Sequence, residues 1–201
     1  MSPSEVAKID KGQQDPAWCP RAVTAVLVLE DGTVIEGQGL GATGSAVGEV
    51  CFNTAISGYQ EILTDPSYAG QIITFTFPHV GNIGTNDEDI ETSSPAAASG
   101  VRGAIMRANV TAASNYRSDK TLGNWLEHRG IIAIYGIDTR ALTAHIRESG
   151  YINAVIAHDV DGEFDLDSLK RKAKDWAGLE GMDMVPDVST TQQFTSTQTN
   201  W

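Results

Sequence analysis

Residues 22–39 read AVTAVLVLEDGTVIEGQG, and this stretch decides the fold class. Its first arm is a run of valine and leucine, residue types that fit a pleated, buried surface. The run stops at Asp31-Gly32, the dipeptide favoured where both residues of a tight turn need positive φ. The second arm, TVIEGQG, alternates apolar and polar positions. Two strand-like arms around such a dipeptide predict a β-hairpin, and hence a domain organised around a sheet.

Working outward, the first half of the chain continues mostly as strand. After the glycine-rich GLGATGSAVG comes EVCFNT, and after GYQEILTDPSY comes GQIITFTFP, a β-branched and aromatic run. The period then changes. Ser118 is placed to cap a helix in which Leu122, Trp125 and Leu126 share a face, with Gly130 where that helix should stop. IIAIY reads as a buried strand. Asp138 can accept backbone N–H bonds at the head of DTRALTAHIRESG, and YINAVIAH follows as a strand. In DLDSLKRKAKDW, Leu166, Leu169, Ala173 and Trp176 recur at helical spacing. Asp159, Asp161 and Glu163, just before it, are expected to be solvated loop and cap residues. Strands first and alternating helix and strand afterwards imply an α/β, mixed α+β, domain without the regular repetition of a doubly wound sheet.

Length and composition agree with one such core. The chain has 201 residues, 41% of them hydrophobic, enough for one compact domain with ragged ends. Residues 1–20 are polar and aperiodic and read as a flexible leader; residues 21–190 should hold the domain. The final STTQQFTSTQTNW is rich in threonine and glutamine, and residues 191–201 read as the start of a linker. A formal charge of −12 repels phosphate backbones and anionic surfaces, so neither nucleic acid nor membrane is an expected partner. No apolar run approaches the roughly 20 residues that span a bilayer, and the first residues lack the apolar core of a secretion signal, so a cytoplasmic location is expected. Two cysteines, Cys19 and Cys51, suffice for neither a disulfide framework nor a zinc cluster.

Three segments invite a chemical reading. Gly39, Gly41 and Gly44 spell G-x-G-x-x-G, with Asp65 further on as a dinucleotide fingerprint would have it. That fingerprint needs a helix to open after the loop, whereas SAVGEVCFNT continues as strand, so a structural glycine loop or a close approach to a neighbour is expected instead. An independent nucleotide-binding module is the alternative this motif leaves open. In GYQEILTDPSY, Tyr59, Ile62 and Leu63 form one turn's apolar face and Pro66 ends the helix at or before Asp65. Ser67 then stands just past the break, where its hydroxyl could bind a polar small molecule or cap the following turn. FPHVGNIGTN packs turn formers into an exposed loop after a strand. Its His79 could transfer protons, ligate a metal or carry phosphate, yet no second ligand stands at suitable spacing. No nucleophile elbow or Walker loop is present, and the domain by itself should catalyse nothing.

GATGSAVGEV, FNTAISGYQEILTDPSYAGQI, FPHVGNIGTN, GIDTRALTAHIRESG and GLEGMDM stand in an order and spacing that resemble the amino-terminal domain of the small subunit of glutamine-hydrolysing carbamoyl phosphate synthetase, over Val23 to Thr191. The resemblance implies a swivelling β/β/α-type domain followed, in the family, by a class I glutamine amidotransferase domain with a Cys-His-Glu site. Neither Cys19 nor Cys51 matches that nucleophile. It implies that the large subunit is the partner and holds the ATP, magnesium and potassium sites, leaving no cofactor and no metal on this chain. Ammonia from glutamine would serve carbamoyl phosphate formation for arginine and pyrimidine synthesis. Finally, it implies that Ser67 binds L-glutamine across the domain boundary. A swivelling phosphohistidine carrier with His79 as acceptor is a further alternative.

Overall fold

A computed structural model describes residues 22–91 and 100–189. The expected leader, with Arg21 and Cys19, and the expected linker at 191–201 lie outside the described residues. Seven strands make the frame: β1 Ala25–Leu29, β2 Val34–Gly41, β3 Gly44–Asn53, β4 Gln71–Phe75, β5 Gly103–Ile105, β6 Ile132–Tyr135 and β7 Ile152–His158. They close into a barrel in the order β1-β2-β6-β5-β4-β3-β7. Pairing is parallel from β3 through β4 and β5 to β6, and antiparallel elsewhere. The expected mixed α+β domain, stranded first and alternating later, is therefore what the chain forms. Closure into a barrel goes beyond the expectation, because hydrophobic pattern reports which residues are buried and not which strand meets which.

Most strands read as near-continuous apolar runs because both faces are covered. On β1, Ala25, Leu27 and Leu29 point into the barrel with Ile72, Ile105, Ile134 and Ile156, and Leu142 and Ile146 of helix α3 (Thr139–Ser149) join that same cluster. The alternate residues Val26 and Val28, with Val155 and Ala157, meet Leu169 and Ala173 of helix α4 (Leu166–Asp175). Ile73, Phe75, Ala104, Met106 and Ala133 face outward on the parallel side. There they bury against Tyr59 and Leu63 of helix α1 (Tyr59–Thr64) and Leu122, Trp125 and Leu126 of helix α2 (Leu122–His128).

Local chemistry places the element ends. Asp138 caps α3 through Oδ1, which accepts from the N–H groups of Arg140 and Ala141, both at 3.2 Å, and Gly150 ends it with φ 81°. Asp165 caps α4 by accepting from Ser168 N at 3.0 Å. In the acidic loop before it, Asp159 Oδ1 accepts from the N–H groups of Asp161 and Glu163, a turn-shaping role as expected.

Three local expectations are corrected. The first hairpin turns through Glu30-Asp31-Gly32 rather than two residues. Leu29 N–H donates to Thr33 O at 2.9 Å, Asp31 Oδ1 accepts from Thr33 N, and Gly32 takes a positive φ of 90°. Helix α2 is capped by Thr121, whose hydroxyl accepts from Asn124 N at 3.3 Å, and not by Ser118. Lys120 is bridged to Thr85, which keeps the chain extended until Thr121. The glycine-rich stretch is strand rather than loop, because β2 runs through Gly41 and β3 starts at Gly44. Strand β5 and the short helix α5 (Val185–Val188) have too few residues to leave a periodic signature.

The close approach to a neighbour, the other expectation for these glycines, is what the structure has. A Cβ on Gly39 would run into the His158 ring, whose Nδ1 lies 2.9 Å from Ala42 O, and one on Gly41 would come within 2.5 Å of Ile131 O. Gly39→Ala should lower stability by about 1–3 kcal/mol, the range for overpacking a filled site. Adding His158→Ala should recover part of that loss; chemical denaturation of the single and double variants checks it, and additive losses would contradict the clash.

Candidate functional site

Two of the three segments singled out by sequence, GYQEILTDPSY and FPHVGNIGTN, lie in the connections of the parallel half of the barrel. Helix α1 and the 3-10 turn Pro66–Tyr68 carry the chain from β3 to β4, and the loop containing His79 follows β4 directly. Gly58 opens α1 in the left-handed conformation, and Thr64 is its last residue, one before Asp65 turns extended (φ −75°, ψ 119°) ahead of Pro66. Tyr59 and Leu63 are buried and Ile62 half-buried, the face foreseen from their spacing.

Ser67 sits on this break with its side chain exposed. Asp65 takes the capping role: its Oδ1 accepts from Ser67 N at 2.8 Å. Of the two roles left open to the serine hydroxyl, the cap is thus supplied by its neighbour, and the hydroxyl faces outward. Tyr68 anchors the turn from the other side, its phenolic oxygen accepting from Asn53 Nδ2 at 2.9 Å, at the end of β3. A short polar side chain is in this way carried on a backbone held from both flanks.

A polar lock joins α1, the helix that precedes the Ser67 turn, to the loop after β4. Gln60, 3% exposed, donates from Nε2 to Asn86 O at 2.8 Å and accepts from Asn86 N at 3.0 Å. The Asn86 side chain in turn donates to Asp89 Oδ2 and accepts from the N–H groups of Glu88 and Asp89, each at 2.8 Å. Thr64 Oγ1 donates back to Gln60 O and accepts from Glu91 N. The Tyr59 hydroxyl donates to Gly84 O, and burial pushes its pKa up to about 12. Arg117 reaches in from the loop before α2 to Glu88 and Asp89 at 3.1 and 2.9 Å. The hydrogen bond from Asn86, and then the Arg117 guanidinium, hold the Asp89 carboxyl below the ordinary carboxylate range.

Asn86 shapes its turn, as a turn former of FPHVGNIGTN should, whereas Gln60, Arg117 and the pairing of Asn86 with Gln60 escaped the sequence reading. Gln60 lies between apolar positions of a six-residue helix, and its burial shows only once its partner loop is in place.

The other candidates part from this site. His79 is exposed, with Phe77 edge-on at 6.3 Å between ring centroids, and among the described residues no group of His, Cys, Asp and Glu could hold a metal ion. The G-x-G-x-x-G run passes from β2 to β3, with no helix N-terminus for a pyrophosphate. Burial, with the Glu49 charge beside it, pushes the Cys51 thiol up to about 12, so little of it is the nucleophilic thiolate at neutral pH. No helix among the described residues is long and apolar enough to cross a membrane.

The parallel crossovers thus carry Ser67 exposed on a turn whose backbone is held by Asp65 and Tyr68. A family model for the carbamoyl-phosphate synthase small chain, CPSase domain, matches residues 27–156. The chain is 65% identical over 187 residues to the carbamoyl phosphate synthase small chain of Bradyrhizobium diazoefficiens, covering 93% of this chain and 47% of that protein. The small chain of Mesorhizobium japonicum is 64% identical over 186 residues, covering 92% and 47%. A solved aminopeptidase from Aneurinibacillus sp. strain AM-1 overlays at a TM-score of 0.42 and 18% identity, over 70% of this chain and 31% of that one, too loosely to bear on either fold or function. The chain belongs to the carbamoyl-phosphate synthase small-chain family, in its CPSase domain. It spans about half the length of the curated relatives it matches.

Gln60→Leu should leave the N–H and C=O of Asn86 without partners and cost about 3 kcal/mol, since each buried orphan costs roughly 1–3. Urea unfolding would measure it, and a loss well under 1 kcal/mol would show that the lock contributes little.

Proposed function

We propose that this domain is the non-catalytic, amino-terminal half of the small subunit of glutamine-hydrolysing carbamoyl phosphate synthetase, and that Ser67 contributes to its L-glutamine site. The observation that carries this is the exposed Ser67 on a turn held by Asp65 and Tyr68, directly after a helix locked through Gln60 to the loop after β4. A bound amino acid needs oriented polar partners, and a side chain with one rotatable bond on a rigid turn loses little entropy when it engages. The Cys-His-Glu chemistry that releases ammonia belongs to the amidotransferase half of the full-length subunit. ATP, magnesium and potassium belong to the large subunit, and this chain needs no cofactor or metal of its own. The reaction is cytoplasmic and supplies carbamoyl phosphate for arginine and pyrimidine synthesis.

In a full-length subunit, Ser67→Ala removes one hydrogen bond worth about 1 kcal/mol, so the KM for glutamine should rise roughly fivefold with kcat little changed. An unchanged KM refutes the assignment.

The domain also docks the large subunit, through the surface where the loop after β4 abuts the loop before α2. Ser114 N–H donates to Asn82 O and Lys120 N–H to Thr85 O, and this braced surface leaves Ile83 42% and Tyr116 96% exposed. Exposed apolar side chains on a rigid support suit an interface core. Ile83→Asp together with Tyr116→Asp should abolish co-elution of the small and large subunits on gel filtration; retained co-elution places the interface elsewhere.

A further inference from the structure

After α4 the chain doubles back toward the Ser67 turn. The Trp176 carbonyl accepts from Asn153 Nδ2 of β7 at 3.1 Å, and Gly178, buried with φ 82°, reverses direction beside that same asparagine. Leu179 then seats its side chain directly on Gly70. A Cβ at Gly70 would lie 2.6 Å from Leu179 Cδ2 and 3.5 Å from Met184 Cε. Gly70 is three residues past Ser67 and is held on its other sides as well. Its N–H donates to Gly100 O at 3.1 Å and its carbonyl accepts from Glu49 N at 3.2 Å. With φ 80° and no room for a side chain, the position requires glycine on both counts.

We propose that residues 176–184 are the joint that sets where the second half of the full-length protein sits relative to Ser67, with Leu179 on Gly70 as the positioning contact. Two observations give the joint its occupant. The relatives are about twice as long as this chain, which matches their first half, so in them the polypeptide continues from this side of the barrel. The face around the joint also leaves Tyr151 85%, Met182 48% and Val185 66% exposed, apolar side chains available to pack against that second half. The inference rests on the reading of Ser67 as a glutamine contact made across the domain boundary. Such a contact works only if the distance across that boundary is held, and a shift near 1 Å at a binding group can cost large factors in rate or affinity. A side chain wedged on the backbone three residues from the serine supplies that constraint.

The test uses the full-length subunit with its large-subunit partner, comparing Leu179→Ala, Leu179→Met and Ser67→Ala. Leu179→Ala should raise the KM for glutamine about fivefold, as a loosened contact group would, while leaving the ammonia-driven rate unchanged; Leu179→Met should restore the KM to within about twofold. Amide hydrogen exchange across residues 66–70 should be faster in Leu179→Ala than in the parent protein. Unaltered exchange there overturns the joint, whatever the kinetics. An unchanged KM in Leu179→Ala, when Ser67→Ala raises it, also overturns the joint but leaves the serine reading intact. If Ser67→Ala itself leaves the KM unchanged, the glutamine reading falls and the joint loses its catalytic purpose.

Discussion

Everything in this molecule hangs on β7, the strand that pairs with both β1 and β3 and so turns a seven-stranded ribbon into a barrel. An open sheet would expose two rows of unpaired backbone groups; closure removes both. It also forces Ile152, Ala154 and Ile156 inward and Val155 and Ala157 outward, so that one strand contributes to the barrel interior and to the layer beneath α4. The tight spots arise from the same constraint. Gly103 lies where a Cβ would meet Ile156 across the interior, and Gly39 lies against the His158 ring at the end of β7.

Closure divides the surface into two functional halves. On the antiparallel side, short turns and α4 cover the barrel. The parallel side cannot be joined by short turns, because each successive strand must be re-entered from the same end. Its connections are therefore long, and they carry the Ser67 turn, the His79 loop and the loop holding Tyr116. The Gln60–Asn86 exchange of hydrogen bonds is what keeps two of these connections from moving independently. A lone exposed serine has little recognition value; a serine on a crossover locked to its neighbour has a defined position.

The strands, helices and caps with strong local chemistry were legible in the sequence: the hairpin around Gly32, α3 between Asp138 and Gly150, and the helix break at Pro66. What escaped reading was set by partners distant in sequence. Ser118 reads as the cap of α2, and Thr85, by bridging Lys120 and holding the chain extended, leaves that role to Thr121. The dipeptide at Asp31 could not reveal that the turn takes a third residue. For Gly39 and Gly41 the sequence leaves open a loop or a close approach to a neighbour; the structure gives the approach, and only the fold could name His158 and Ile131 as the neighbours. At the site, the serine and its proline were visible, whereas the capping role of Asp65 and the buried amide of Gln60 were not. The binding role proposed for Ser67 comes from the family resemblance; the residues alone read it equally as part of a turn.

The register of β7 also bears on how the chain comes to be folded. Ala25 pairs with His158, a residue that leaves the ribosome more than a hundred positions later. Until then the first hairpin has β1 unpaired along one edge, a sticky ladder of amides and carbonyls with an apolar face on either side. Such distant pairing makes folding slow relative to helical domains of the same size. During synthesis β1 therefore keeps an open edge until β7 emerges and pairs with it.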